Sequence, residues 1–294
     1  MDIRQYRCYH QGKLYEGAVV FLSISGGIKI HVLHCGCVSL PRRAAFGGPA
    51  LPARRVDLPV SAYLIEHPQG LILVDTGWSR EISPRGVYAP EAVRRVLPRR
   101  LADFYRPRVA PGQTACEQLE AMDISPTDLD LILLTHLDPD HVSGLKELSG
   151  AKRLLMAEEE RWWTARTVYS LRQPRAMWEP YPIDTFWYKG SPIGPNRWAR
   201  DLFGDESVTL VNVPGHTEGM FALIIKNRGR FVLLSSDAAF SSRSWREMLV
   251  PGFGFNPKAQ EKSLLWLREQ SRLPDCAACI ANHDPAEKPR VIEL

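Results

Sequence analysis

The pattern that most constrains this chain is a repeated plan: short apolar runs rich in β-branched residues, then helical stretches, then more such runs. "AVVFLSI", "IKIHVLHCG", "SAYLIEH" and "LILVDTG" come early, and "VTLVNV", "FALIIK" and "FVLLSSD" come late. Runs of this kind read as strands, and the turn chemistry of "EHPQGL" and "KNRGRF" predicts hairpins. Helical periodicity covers 90–105, 114–122, 142–149, 157–168 and 258–271, the last begun by Asn256 and Pro257. The two halves share a plan, which points to an α/β protein. With 294 residues, 45% of them apolar, the chain can bury a large core, and we expect one domain over 1–294.

The interval 170–200 is rich in proline and tryptophan and has no clean period. It is long for a plain loop and reads either as a lid or substrate-facing excursion, or as a patch in which Trp178, Trp187 and Trp198 cover the core.

The net charge is only +4 and the arginines fall in scattered pairs such as Arg42 with Arg43 and Arg99 with Arg100, so no basic block announces nucleic acid. The first residues lack a signal-peptide layout, and no stretch approaches the roughly 20 apolar residues of a membrane span. A cytoplasmic protein without a membrane partner is the expectation, with a homodimer left open. Six cysteines are too sparse for a disulfide scaffold. "CAAC" at Cys276–Cys279 reads as small thiols in a strand, and "CGC" at 35–37 as close backbone packing.

Chemistry concentrates in "LLTHLDPDHVSGL", where His136, Asp138, Asp140 and His141 crowd together after an apolar run. His216 in "LVNVPGHTEGM", Asp237 in "VLLSSDAAF" and His283 in "CAACIANHDP" also follow such runs. A side chain at a strand's end is held by stiff backbone, and several strands ending on one rim can bring such residues to one point, which metal binding demands. Pro139 favours extended geometry at Asp138 and is expected to turn the chain without continuing as a helix, so that His136 and Asp138 face one way, Asp140 and His141 another, and a helix starts at "VSGLKEL".

As a set, "ILVDTG", "THLDPDH", "PGHTEG", "SSD" and "ANHD" resemble the motifs of the metallo-β-lactamase superfamily, over about residues 20–285. "SAYLIEHP" leading to "LILVDTG", with the spacings, is most similar to the N-acyl-homoserine lactonase branch. The resemblance implies a four-layer αββα sandwich with two divalent metal ions at the sheet edges. It implies that His136, Asp138 and His216 hold one ion, that Asp140, His141 and His283 hold the other, that Asp237 bridges them, and that Asp75 steadies ligand geometry through hydrogen bonds. Two such ions together make a nucleophile from water at neutral pH and polarise a carbonyl. Asp140 is then the natural proton shuttle to a departing alkoxide, and the expected reaction is hydrolysis of an ester-like bond, foremost a lactone. Zinc suits the histidine-rich set. The competing class is a degenerate, non-catalytic scaffold.

Two positions depart from the pattern. Asp138 stands where the family signature has histidine; with two dications, a hydroxide and the carboxylates of Asp138, Asp140 and Asp237, the expected formal charge is zero rather than plus one, and a hard oxygen ligand tilts preference toward manganese or iron. Flavodiiron relatives carry a carboxylate there, but no flavodoxin-like extension is seen. Phe240 stands where the lactonase branch commonly has a tyrosine that donates to the substrate carbonyl, which leaves other esters, amides and phosphodiesters open. The expected substrate carries an apolar group met by a tryptophan-rich approach, with Trp162 and Trp163 near the cleft. His10, His31, His34 and His67 read as ordinary polar positions, and Glu158, Glu159 and Glu160 as a helix N-terminus.

Overall fold

Ile72 and Val74 face one side of their strand and Leu73 the other, and all three are buried. A strand apolar on both faces has to be covered twice, which places it inside a layered structure. The structure, a computed structural model, describes residues 2–10, 13–21, 26–47, 54–166 and 171–294. The end of the "AVVFLSI" run at 22–24, the last two positions of the helix expected at 157–168, and Ser170 lie outside the described residues, as does the side chain of His10.

A hairpin of β1 (Asp2–His10) and β2 (Lys13–Phe21) precedes two mixed sheets. The first sheet holds β3 (Lys29–Pro41), β4 (Arg55–His67), β5 (Gly70–Val74), β6 (Leu131–Leu134), β7 (Leu154–Ala157) and β8 (Ile183–Phe186) in that order, with β15 (Arg290–Glu293) against β3. The second holds β9 (Lys189–Gly190), β10 (Trp198–Asp201), β11 (Val208–Asn212), β12 (Phe221–Asn227), β13 (Arg230–Leu234) and β14 (Cys276–Ile280), also in sequence order. Both hairpins expected from turn chemistry form, with His67 paired to Gly70 and Asn227 to Arg230.

Three buried clusters fill the spaces. Ile30, Tyr63, Ile72 and Leu133 meet Leu210, Phe221, Leu223 and Val232 between the sheets. Leu64, Leu73, Ile132 and Leu134 pack outward on Val93, Leu101 and Leu119, while Val211, Ala222 and Leu233 pack on Trp245, Leu264 and Leu267. The layers are therefore helix, sheet, sheet, helix, the expected four-layer αββα sandwich. Each wholly buried Leu or Ile contributes about 1.5–3 kcal/mol, so the strands that carry the rim are anchored along their length.

The expected helices shift where proline intervenes. The single helix read at 90–105 is two, Pro90–Val96 and Arg99–Tyr105, because Pro98 cannot continue the first. The opposite happens at Pro139, which opens a helical turn, Pro139–Val142, and runs into a 3₁₀ turn, Ser143–Lys146. Proline fits the first position of a helix because its missing N–H would have no partner there. Asp138 is extended before it, as expected (φ −65°, ψ 150°). Residues 171–200 are no simple loop: they add β8 to one sheet and β9 and β10 to the other. Met177 and Trp178 enter the core, whereas Trp187 and Trp198 are exposed.

Direction matters more than order. β5 and β6 are parallel, β13 and β14 are parallel, and β11 runs with β13 because each is antiparallel to β12. Their carboxyl ends share one edge, where the sheets are laced together: Phe221 N–H donates to the Thr135 carbonyl (3.4 Å), Ser236 Oγ to Thr135 Oγ1 (2.8 Å), and Ser61 N–H to the Asn282 carbonyl (3.2 Å).

On that edge Gly77 has φ +64°, and a methyl group there would overlap the Cβ of Cys35. Overpacking and backbone strain together predict that Gly77→Ala costs about 2–4 kcal/mol. A thermal melt within experimental error of the parent would refute this.

Candidate metal centre

Asp75 follows β5 with φ +59°, a left-handed conformation that turns its carboxylate back across the neighbouring strand end. Oδ1 accepts from Thr135 N–H (2.8 Å), and Oδ2 accepts from Thr135 Oγ1 (2.8 Å) and His141 Nδ1 (2.7 Å). With its hydroxyl proton committed to Asp75, Thr135 accepts from Ser236 and from His136 Nδ1 (3.0 Å). Nδ1–H on both His136 and His141 leaves each Nε2 with a lone pair aimed at the interior. His283 does the same from just past β14, donating Nδ1–H to the Pro59 carbonyl (2.7 Å). Three of the four site histidines are thus oriented by hydrogen bonds from behind, the usual condition of a metal-ligating imidazole.

The forward atoms converge. His136, Asp138 and His216 form one group with ligand atoms within 4.8 Å of one another; Asp140, His141 and His283 form a second. Asp237 lies between them, with Oδ2 at 3.1 Å from His283 Nε2 and 3.5 Å from His216 Nε2, and Oδ1 at 3.4 Å from His141 Nε2. All seven side chains are essentially buried. Among the described residues, His136 Nε2, Asp140 Oδ1 and Asp237 Oδ1 have no hydrogen-bond partner. Buried polar atoms are rarely left so, and carboxylates packed out of water need positive charge beside them. This donor set fits two divalent cations.

Electrostatics sharpen the picture. Burial would push the Asp138 carboxyl up, but Arg172, His136 and His216 hold it well below the usual range. Burial and Arg172 bring His216 down to about 4, so the ring is neutral at neutral pH, as a ligand must be. Asp140 moves the other way, raised by burial and by Asp237 and Asp138 against the pull of His141 and His283.

Arg172 is the main residue that sequence reasoning missed. It is buried; its Nε donates to Asp138 Oδ1 (2.8 Å), Nη2 to the His216 carbonyl (3.1 Å) and Nη1 to the Phe253 carbonyl (3.3 Å). Its charge lies against the Asp138 carboxylate and offsets it at that corner. Glu160 is more than a helix terminus: Oε1 accepts from Leu137 N–H (3.2 Å) and Gln173 Nε2 (2.6 Å), and Oε2 from Thr217 Oγ1 (2.6 Å). It holds the neighbours of His136, Asp138, Arg172 and His216. The rings against the histidines are Phe240, 4.9 Å from His283, and Phe253, 6.1 Å from His216, with Tyr105 at 6.0 Å from Phe253. Among the described residues, the rings in contact with these histidines or with one another here include those of Phe240, Phe253 and Tyr105.

A family model described as the metallo-beta-lactamase superfamily matches residues 55–280. The chain belongs to that superfamily. It is 25% identical over 240 residues to the N-acyl homoserine lactonase AttM of Rhizobium radiobacter, covering 78% of this chain and 83% of that protein. It is 30% identical over 252 residues to a probable metallo-hydrolase of Mycobacterium tuberculosis, covering 83% and 73%. Its fold matches an N-acyl homoserine lactone hydrolase solved with N-hexanoyl-L-homoserine at the catalytic metal centre, with TM-score 0.70, 20% identity and coverage of 87% and 93%. It also matches AidC, a dizinc quorum-quenching lactonase, with TM-score 0.60, 15% identity and coverage of 92% and 98%. This superfamily member is a metal-dependent hydrolase, and among its described residues no helix is long and apolar enough to cross a membrane.

Asp75→Asn removes the anion that orients His141. Loss of such a supporting partner typically costs about 10- to 100-fold in metal affinity, measurable by competition with a chelator; affinity equal to the parent's would contradict the orienting role.

Proposed function

We propose that this chain opens a lactone ring by hydrolysis, the ring of an N-acyl homoserine lactone foremost, with two zinc ions as its cofactor. The ligand roles are those expected above: His136, Asp138 and His216 at one ion, Asp140, His141 and His283 at the other, Asp237 between, and Asp75 behind His141. The observation that carries the reading is the pairing of two three-residue ligand groups about one carboxylate, in a chain similar to lactonases over most of its length. When bound, two such ions supply Lewis acidity and a nucleophile at neutral pH.

The chain's own groups divide the remaining work. Asp140 turns Oδ2 toward His283 Nε2 (3.5 Å) and His141 Nε2 (3.9 Å), leaving Oδ1 free of hydrogen bonds. Oδ1 is therefore the atom of Asp140 available to a proton. As water's oxygen adds to the acyl carbon and the ring C–O bond breaks, Asp140 takes the proton from the water and returns it to the departing oxygen. Phe253, partly exposed beside His216, offers an apolar face to an acyl chain, and Phe240, buried against His216 and His283, keeps water from the histidines. Phe240 donates no hydrogen bond, and the phenol beside the ligand set is that of Tyr105, whose hydroxyl lies 3.4 Å from Asp138 Oδ2. Zinc is favoured because four imidazoles outnumber the carboxylates facing the ions. A cytoplasmic location agrees with the free thiols of Cys35, Cys37, Cys116, Cys276 and Cys279.

The test is a substrate panel of acyl homoserine lactones, aryl esters, a β-lactam and a phosphodiester on protein loaded separately with zinc, manganese and iron. Acyl homoserine lactones should be turned over best, with zinc, and Asp140→Asn should lower kcat by about 10²- to 10⁴-fold. Preference for the phosphodiester, or no lactone opening at full metal occupancy, would overturn the assignment.

A further inference from the structure

Asp138 divides its two oxygens between two tasks. Oδ1 takes the Nε–H of Arg172 at 2.8 Å, while Oδ2 faces His216 Nε2 at 3.1 Å and His136 Nε2 at 3.7 Å and accepts from the Tyr105 hydroxyl at 3.4 Å. Arg172 is fixed from every side: two backbone carbonyls take its Nη groups, and its guanidinium lies 4.5 Å from the Phe253 ring and 4.4 Å from the Phe255 ring. A guanidinium buried here stays charged, and the carboxylate in hydrogen-bond contact with it is that of Asp138.

We propose that Asp138 and Arg172 together act as one neutral, single-atom ligand, the equivalent of a histidine side chain at that corner of the metal centre. The guanidinium occupies Oδ1, so the carboxylate offers the ion one oxygen instead of chelating it with two. It also cancels the carboxylate's charge, so the ion meets a corner with no net charge, as it would with imidazole. Arg172 is a positioning residue: it acts on the ion through Asp138. What remains of the difference from histidine is an oxygen in place of a nitrogen. Without Arg172 the corner becomes anionic and free to chelate, a setting that suits manganese or iron over zinc. With Arg172 but without Asp138, a buried cation faces a second cation with nothing between them. The pair should therefore change together or not at all. This inference rests on the dinuclear reading above.

The experiment is a double-mutant cycle on the full chain: parent, Asp138→His, Arg172→Gln and the double variant, each reconstituted with zinc and dialysed. Bound metal is counted by mass spectrometry, and folding is followed by circular dichroism. Glutamine ends near the position of the Arg172 Nε, so it keeps an amide donor beside residue 138 while removing the charge and the two Nη donors. The parent should hold about two ions, Asp138→His about one, and the double variant about two again. Arg172→Gln alone should keep about two ions, with its preference for zinc over manganese reduced about 10- to 100-fold in competition. The proposal is overturned if Asp138→His holds two ions as firmly as the parent, or if the double variant is no better than Asp138→His. Should the glutamine variants misfold, Arg172→Met repeats the cycle with an apolar match for the buried stem, and the same two outcomes decide. A parent that binds no ions after reconstitution instead overturns the dinuclear reading, and this inference with it.

Discussion

The structure is organised around charge that has been taken out of water. Asp75, Asp138, Asp140 and Asp237 are each no more than 2% exposed, and His136, His141, His216 and His283 are buried with them. Isolated, any one of these carboxylates would cost several kcal/mol, far more than a single buried side chain returns. Each charge therefore has an assigned neighbour. Asp75 is satisfied by Thr135 and His141, Glu160 by Gln173, Thr217 and Leu137 N–H, and Asp138 by Arg172. Asp140 and Asp237 retain atoms with no such partner. Satisfaction from behind and want in front is what makes this a site for cations rather than a salt-bridge network.

Holding that arrangement requires the rim to be rigid. A ligand displaced by even half an ångström binds metal poorly, and strands anchored on both faces by the two outer clusters and the inner one give the stiffest available base. The topology turns this into convergence, because β5, β6, β11, β13 and β14 point to one edge. Asp75 and Ser236 meet the edge with φ +59° and +49°. Such strain is tolerated where surrounding bonds over-determine it, and both residues are tied to the Thr135 hydroxyl.

Much of this was legible in the chain itself, for a definite reason. Strands buried on both faces are written as unbroken apolar runs, and the polar residues that follow each run mark the rim, so His136, His216, Asp237 and His283 could be read as members of one edge before any coordinates, with Asp75 added by the family resemblance. Proline was legible only in part. At Pro98 it breaks a periodic helix and at Pro139 it begins one, and local sequence does not distinguish a ring that interrupts from a ring that occupies the first turn. The β1–β2 hairpin was half seen, since "DIRQYRCYH" alternates too many charges to resemble a core strand.

Arg172 was illegible because the stretch around it obeys several neighbours at once. Gln173 answers to Glu160 and Thr164, Arg172 to Asp138, Met177 and Trp178 to the outer core, and β8 to β7. Side chains that each face a different partner leave no period to detect, so the segment reads as loop although most of its inward residues are fixed. The same reasoning explains why Asp138 looked like a departure when seen alone. A carboxylate in place of an imidazole changes the charge of the corner, and its compensating cation stands 34 positions along the chain, beyond the reach of any motif. The substitution is intelligible as one half of a pair, and the site's net charge is set by the fold rather than by the motif.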